Sequence, residues 1–147
     1  MQQEKKNYGK TNKRKGSDAE RYYAKIFRDI LGYTHCKTAR FGSKLHDDAG
    51  IDLIFIPYNI QIKAGKQLGL NPAKELELMK NKMLESFPEH SSEHNFPKIV
   101  LHKKEVGPGK KRTEFDEIVT MTFKDFKAMA SKITELESKI KLLENKK

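Results

Sequence analysis

A single cysteine, Cys36, in 147 residues leaves no partner for an internal disulfide and no cysteine cluster for a metal. A reducing cytosol is the expected setting. No apolar run approaches the roughly 20 residues that a membrane helix needs, so no membrane partner is expected. The start of the sequence is basic and polar and carries no apolar stretch of the secretory-signal kind. Internal repeats and low-complexity blocks are also missing. His90 and His94 lie four apart in a Ser-rich, Pro-bounded stretch, but no third ligand completes a zinc set. Acidic residues are the other shortage.

Thirty Lys and Arg stand against 20 Asp and Glu, a net charge of +10. Such an excess favours a polyanionic partner, and clustered charge suits phosphate better than scattered charge does. Here it is clustered. Before residue 16, Lys5, Lys6, Lys10, Lys13, Arg14 and Lys15 oppose Glu4 alone. "KKEVGPGKKR" at 103–112 places Lys110, Lys111 and Arg112 at a turn that lacks the spacing of a Walker loop. These basic groups, with Lys66, are the expected phosphate contacts of a nucleic-acid partner, and they hold backbone without reading bases.

Residues 1–15 lack apolar periodicity and read as a disordered basic arm. Ala19, Tyr22, Tyr23, Ile26, Phe27, Ile30 and Leu31 then recur at helical spacing, with Ser17 as N-cap and Gly32 as stop. A short strand is expected within 33–41 and a polar loop over "GSKLHDDAG". Two strands, Ile51–Ile56 and Ile60–Ala64, read as a hairpin. Asn71-Pro72 opens a second helix lined by Leu76, Met79, Met83 and Phe87. "KIVLHKK" and "FDEIVTMTF" read as strands, and Thr122-x-x-Asp125 starts a last helix as a capping box. Phe126, Met129, Ile133, Leu136, Ile140 and Leu143 follow a 3-4-3-4-3 spacing. That is either an amphipathic face lying on the domain or, in its second half, a short coiled-coil seam to another subunit. The whole reads as a mixed α/β domain, a central sheet covered by helices.

The hairpin carries the chemistry. Gln61 and Lys63 are two apart and share one face of their strand. A two- or four-residue connection, the expected register because it gathers the polar groups at one end, sets Asp52 opposite Lys63; a three-residue one would turn Asp52 to the other face. A plain cross-strand ion pair is the structural alternative. A carboxylate, an amide oxygen and an ammonium among apolar strands point instead to metal-assisted phosphodiester cleavage. Mg²⁺, with Mn²⁺ as substitute, takes oxygen ligands such as Asp52 and Gln61. Lys63 would stabilise charge building on the phosphate. Glu20 is a further candidate ligand, although Ser17-x-x-Glu20 is also a capping box. Asp47 and Asp48 are reserve ligands.

With "KGSDAER", "RFGS", "GIDLIF" and "IQIKAGK" in this order, the chain resembles the PD-(D/E)XK nuclease superfamily, and within it the archaeal-type Holliday-junction resolvases and their phage-encoded relatives. "IVLHKK" and "EIVTMTFKDF" resemble the closing strands and helix of such phage nucleases. The resemblance implies a restriction-endonuclease-like fold over 16–128, to which the heptad spacing adds a coiled-coil-like helix at 129–147. It implies a Mg²⁺-dependent endonuclease acting on branched DNA, a homodimer, and the cytoplasm of a bacterial or phage-infected cell. By position Asp52 is the acid of the PD element, Gln61 holds the (D/E) place, Lys63 the Lys place and Glu20 the helix acid. Arg40 and Ser43 fall where resolvase relatives keep polar residues near the scissile phosphate. Ile51 replaces the Pro. Gln61 replaces an acid and removes one negative charge from the metal site, as in certain homing endonucleases and virus-type repair nucleases. A sequence-specific homing or restriction endonuclease, and an inactive nucleic-acid-binding protein, are the alternatives.

Overall fold

Alternating apolar residues in two segments, Ile60/Ile62 and Ile99/Leu101, decide where the core lies. In the computed structural model, which describes residues 8–65 and 71–147, β3 (Asn59–Gly65) and β4 (Lys98–Lys104) pair in parallel, Asn59 with Lys98 through Gly65 with Lys104. A parallel pair needs a crossover connection, and α4 (Pro72–Ser86) lies in it. β5 (Glu117–Met121) adds antiparallel to β4, giving the order β3-β4-β5. A second, two-stranded sheet joins β1 (Lys37–Thr38) to β2 (Leu53–Ile54). The chain is thus mixed α/β. No helix of the described residues is long and apolar enough to cross a membrane.

One face of the three-stranded sheet buries Ile60, Ile62, Ile99 and Leu101 against Ala19, Tyr23, Ala24 and Phe27 of α1 (Tyr8–Asp29). The other face carries Gln61 and Lys63, with Val100 and His102 beside them in register. α4 flanks that side. Its Met79 and Met83 pack with Ala49, Ile51 and Phe87 in a second cluster. The α4 cap is as expected: Asn71 accepts a hydrogen bond from Lys74 N at 3.2 Å and Pro72 stands in the first turn.

Several sequence expectations give way. α1 begins at Tyr8, so 8–15 are helical and only 1–7 of the expected arm lie outside the described residues. Lys and Arg are good helix formers, and Lys15 is held by Glu105 at 3.3 Å. Ser17 is therefore a mid-helix residue rather than an N-cap. Tyr22, Ile30 and Leu31 are exposed, and Lys103 Nζ stands 3.7 Å above the Tyr22 ring. The helix does end before Gly32, which takes φ +81°. The expected loop at 42–50 is largely helical: α2 (Ala39–Gly42) runs into it, and α3 (Lys44–Asp48) follows, capped by Ser43.

The expected hairpin is the main change. Ile51–Ile56 forms no ladder with β3; only Leu53–Ile54 is strand, and its partner is β1. Two hydrogen bonds explain this. Asp52 N donates to Ile60 O at 2.7 Å, and the Asp52 carboxylate accepts from Ile62 N at 2.6 Å, where the next strand residue would have paired. Phe55, at φ +64°, then turns the chain out of extended geometry. Asp52 consequently faces Ile60–Ile62 and is not set opposite Lys63.

Candidate active site

Asp52 is pinned on both sides of its backbone. Its N–H bonds Ile60 and its carbonyl accepts from Ala39 N at 2.8 Å, at the start of α2. The side chain is thereby delivered to the free edge of β3. Burial pushes its carboxyl pKa up to about 7, the negative fields of Glu20 and Asp47 add to this, and the Ile62 N–H and Lys63 oppose it. Glu20, on the core side of α1, is 6% exposed. Its carboxyl is raised chiefly by burial, against the pull of Arg40, whose Nη2 donates to Glu20 Oε1 at 2.9 Å. Glu20 is therefore neither a helix cap nor a solvated acid: it is a buried carboxylate in the field of Asp52.

Lys63 points to the α4 side, where its ammonium lies 3.7 Å from Glu75 Oε2. Asp52 feels it electrostatically without a direct ion pair. Gln61 lies on the same strand face, against Gly50, and its Oε1 is buried with no hydrogen-bond partner. Gly50 takes φ +79°, and a Cβ there would stand 3.0 Å from Gln61 Nε2. Only glycine meets both demands without strain. His102, the β4 neighbour of Lys63, is 7% exposed with Nε2 unpartnered. Burial, and then Lys63, hold its imidazole below its ordinary pKa.

The structure thus gathers Glu20, Asp52 and Lys63 into one electrostatic neighbourhood, with Gln61 on the strand face of Lys63. Arg40 joins them through Glu20. Ser43 serves elsewhere: its Oγ contacts His46 Nδ1 at 2.7 Å and caps α3, in a cleft of about 520 Å³ shared with Glu93 and Phe96. Lys13, Arg14, Lys110, Lys111 and Arg112 are exposed. Arg112 also donates to Lys104 O at 3.0 Å. Lys15 is tied to Glu105, and Lys66 lies outside the described residues. Sequence reasoning missed Glu75 and the burial of His102. Glu75 had one usable signal, its place one residue before Leu76 on the buried side of a capped helix.

The donor set bears on a divalent cation. Among the described residues no cluster of three or more His, Cys, Asp or Glu could hold a metal. Two carboxylates and an amide oxygen remain. Both carboxyls are pushed toward the protonated form, and a buried acceptor with no donor, such as Gln61 Oε1, is an uncommon cost. A nearby cation would relieve the cost at each of them, and oxygen donors of this kind suit a hard divalent ion. No protein-family model matches the chain, and neither a curated protein nor a solved structure matches it.

Proposed function

We propose that the chain is a divalent-metal-dependent DNA endonuclease with a restriction-endonuclease-like core. Within that class, it is a resolvase of branched DNA, the Holliday junction being its substrate. One observation carries the reading: the Asp52 carboxylate, held by Ile62 N at the edge of β3, lies in the fields of the buried Glu20 and of Lys63. Burying carboxylates together is unfavourable unless a positive charge is recruited. Such perturbed groups concentrate at functional sites.

In this reading Asp52 and Glu20 would supply the charged ligands of Mg²⁺ and Gln61 a neutral one. When bound, Mg²⁺ activates water and polarises the phosphate. The chain's own groups do the rest. Lys63 stands where it can give up Glu75 for a phosphate oxygen and offset the charge that builds there. Arg40, one-third exposed, holds Glu20 with one arm and offers the rest of its fork to the backbone. The exposed Lys and Arg of α1 and of the turn at 110–112 add phosphate contacts without sequence readout.

The test is cleavage with Mg²⁺ of labelled duplex, flap, single-stranded and four-way substrates, beside Asp52→Asn. Four-way junctions should be cut in preference to linear duplex, and the variant should cut none. Preference for one linear sequence would favour a homing or restriction endonuclease. DNA binding without any metal-dependent cutting would favour the inactive binding protein, which the absence of an acid at Gln61 keeps in play.

A further inference from the structure

α5 (Phe123–Glu144) is tied to the body by its first turns. Asp125 accepts from Lys98 N at 3.0 Å, and Met129 and Ala130 are half-buried. Every residue from Ser131 to Lys147 is exposed. Among them Ile133, Leu136, Ile140 and Leu143, at 49–65% exposure, form one stripe with a 3-4-3 spacing. A projecting helix of this length is marginal in water unless its apolar face is covered.

We propose that this stripe is the seam of a parallel, two-stranded coiled coil with a second copy of the chain. Three features of the helix select that occupant. Ile133 and Ile140 take the a positions and Leu136 and Leu143 the d positions, the pattern that favours two parallel strands. Lys132 and Lys139 precede each a residue, at g, and Glu137 and Glu144 follow each d residue, at e. In a parallel pair Lys132 meets the partner's Glu137, and Lys139 meets the partner's Glu144, in both directions. An antiparallel pair would instead set lysines against lysines and glutamates against glutamates. The charges therefore choose both the partner and its direction. The inference does not depend on the nuclease reading. It puts both bodies at the same end of the coil, related by a twofold axis along it.

Light scattering and sedimentation of the full chain test the mass. A dimer is expected at about 100 µM, a high concentration because so short a coil associates weakly. Leu136→Asp with Ile140→Asp, both exposed in the single chain, should give monomers with unchanged near-ultraviolet circular dichroism. Lys132→Glu with Lys139→Glu should also give monomers, and mixing with Glu137→Lys plus Glu144→Lys should restore a one-to-one dimer. Direction is read by Lys147→Cys, at the next a position, in a Cys36→Ala background: mild oxidation should link the two chains. A monomeric wild type at that concentration, a dimer indifferent to the Asp pair, or a dimer that Lys147→Cys fails to link would each overturn the proposal.

Discussion

Asp52 concentrates the energetic cost of the site in one side chain. Its folded pKa, about 7, lies above the ordinary 3.8. Between about pH 4 and 7 the folded chain keeps a proton that the unfolded chain has released, so stability falls as pH rises through that window. Glu20, also raised, acts in the same direction. The lowered His46 and His102 oppose it, because they favour the folded chain more as pH rises toward 6.5. Asp52→Asn keeps an acceptor for Ile62 N and removes the charge. It should raise thermal stability at pH 8, by on the order of 2–4 kcal/mol, and change it little at pH 5. Thermal melts at the two pH values measure this. Mg²⁺ at pH 8 should raise the melting temperature of the wild type and leave that of Asp52→Asn in place. Lys63→Ala should abolish cleavage and leave junction affinity nearly unchanged, by gel shift. Loss of binding instead would make Lys63 a docking residue. Gln61→Glu should keep or raise activity.

Among the elements, the turn from α3 into β2 holds the site together. Gly50 allows a left-handed bend and lets Gln61 lie against the backbone. Gly50→Ala combines a positive φ with a crowded Cβ and should cost about 1–2 kcal/mol in chemical denaturation. It should also weaken the Mg²⁺-induced rise in melting temperature, because Gln61 must move. The last helix shows how a local motif is redirected by tertiary structure. Thr122 Oγ1 does accept from Asp125 N at 3.1 Å, but the Asp125 carboxylate bonds Lys98 N rather than closing the capping box. Half of the motif is used to join α5 to β4. Helix ends and strand bounds set by near neighbours were legible: Asn71-Pro72 opens α4, and "KIVLHKK" is β4 throughout. The hairpin was not. Its register depended on a side chain, Asp52, taking a backbone hydrogen bond, which residue alternation does not encode.

At the scale of the whole molecule, the basic excess is the ground for the proposed DNA partner, and the exposed stripe of α5 for the proposed assembly. Replacing Lys110, Lys111 and Arg112 by Ala should weaken DNA affinity alike for all sequences. It should also reduce the slope of log affinity against log salt by about 1 for each phosphate that the turn no longer neutralises. An unchanged slope would remove that turn from the interface. The amino-acid sequence by itself determined the basic excess, the amphipathic helices, the alternation that puts Gln61 and Lys63 on one face, and the heptads of α5. All of these depend on composition or on residues a few positions apart. Tertiary structure alone decided that Glu20 is buried with Arg40 rather than capping a helix. It alone set the Asp52 carboxylate on Ile62 N and placed Glu75 within reach of Lys63. These interactions join α1 to α2, the residue before β2 to β3, and β3 to α4, segments set apart in the chain, and their geometry follows from how the sheet faces are packed, which no local pattern specifies.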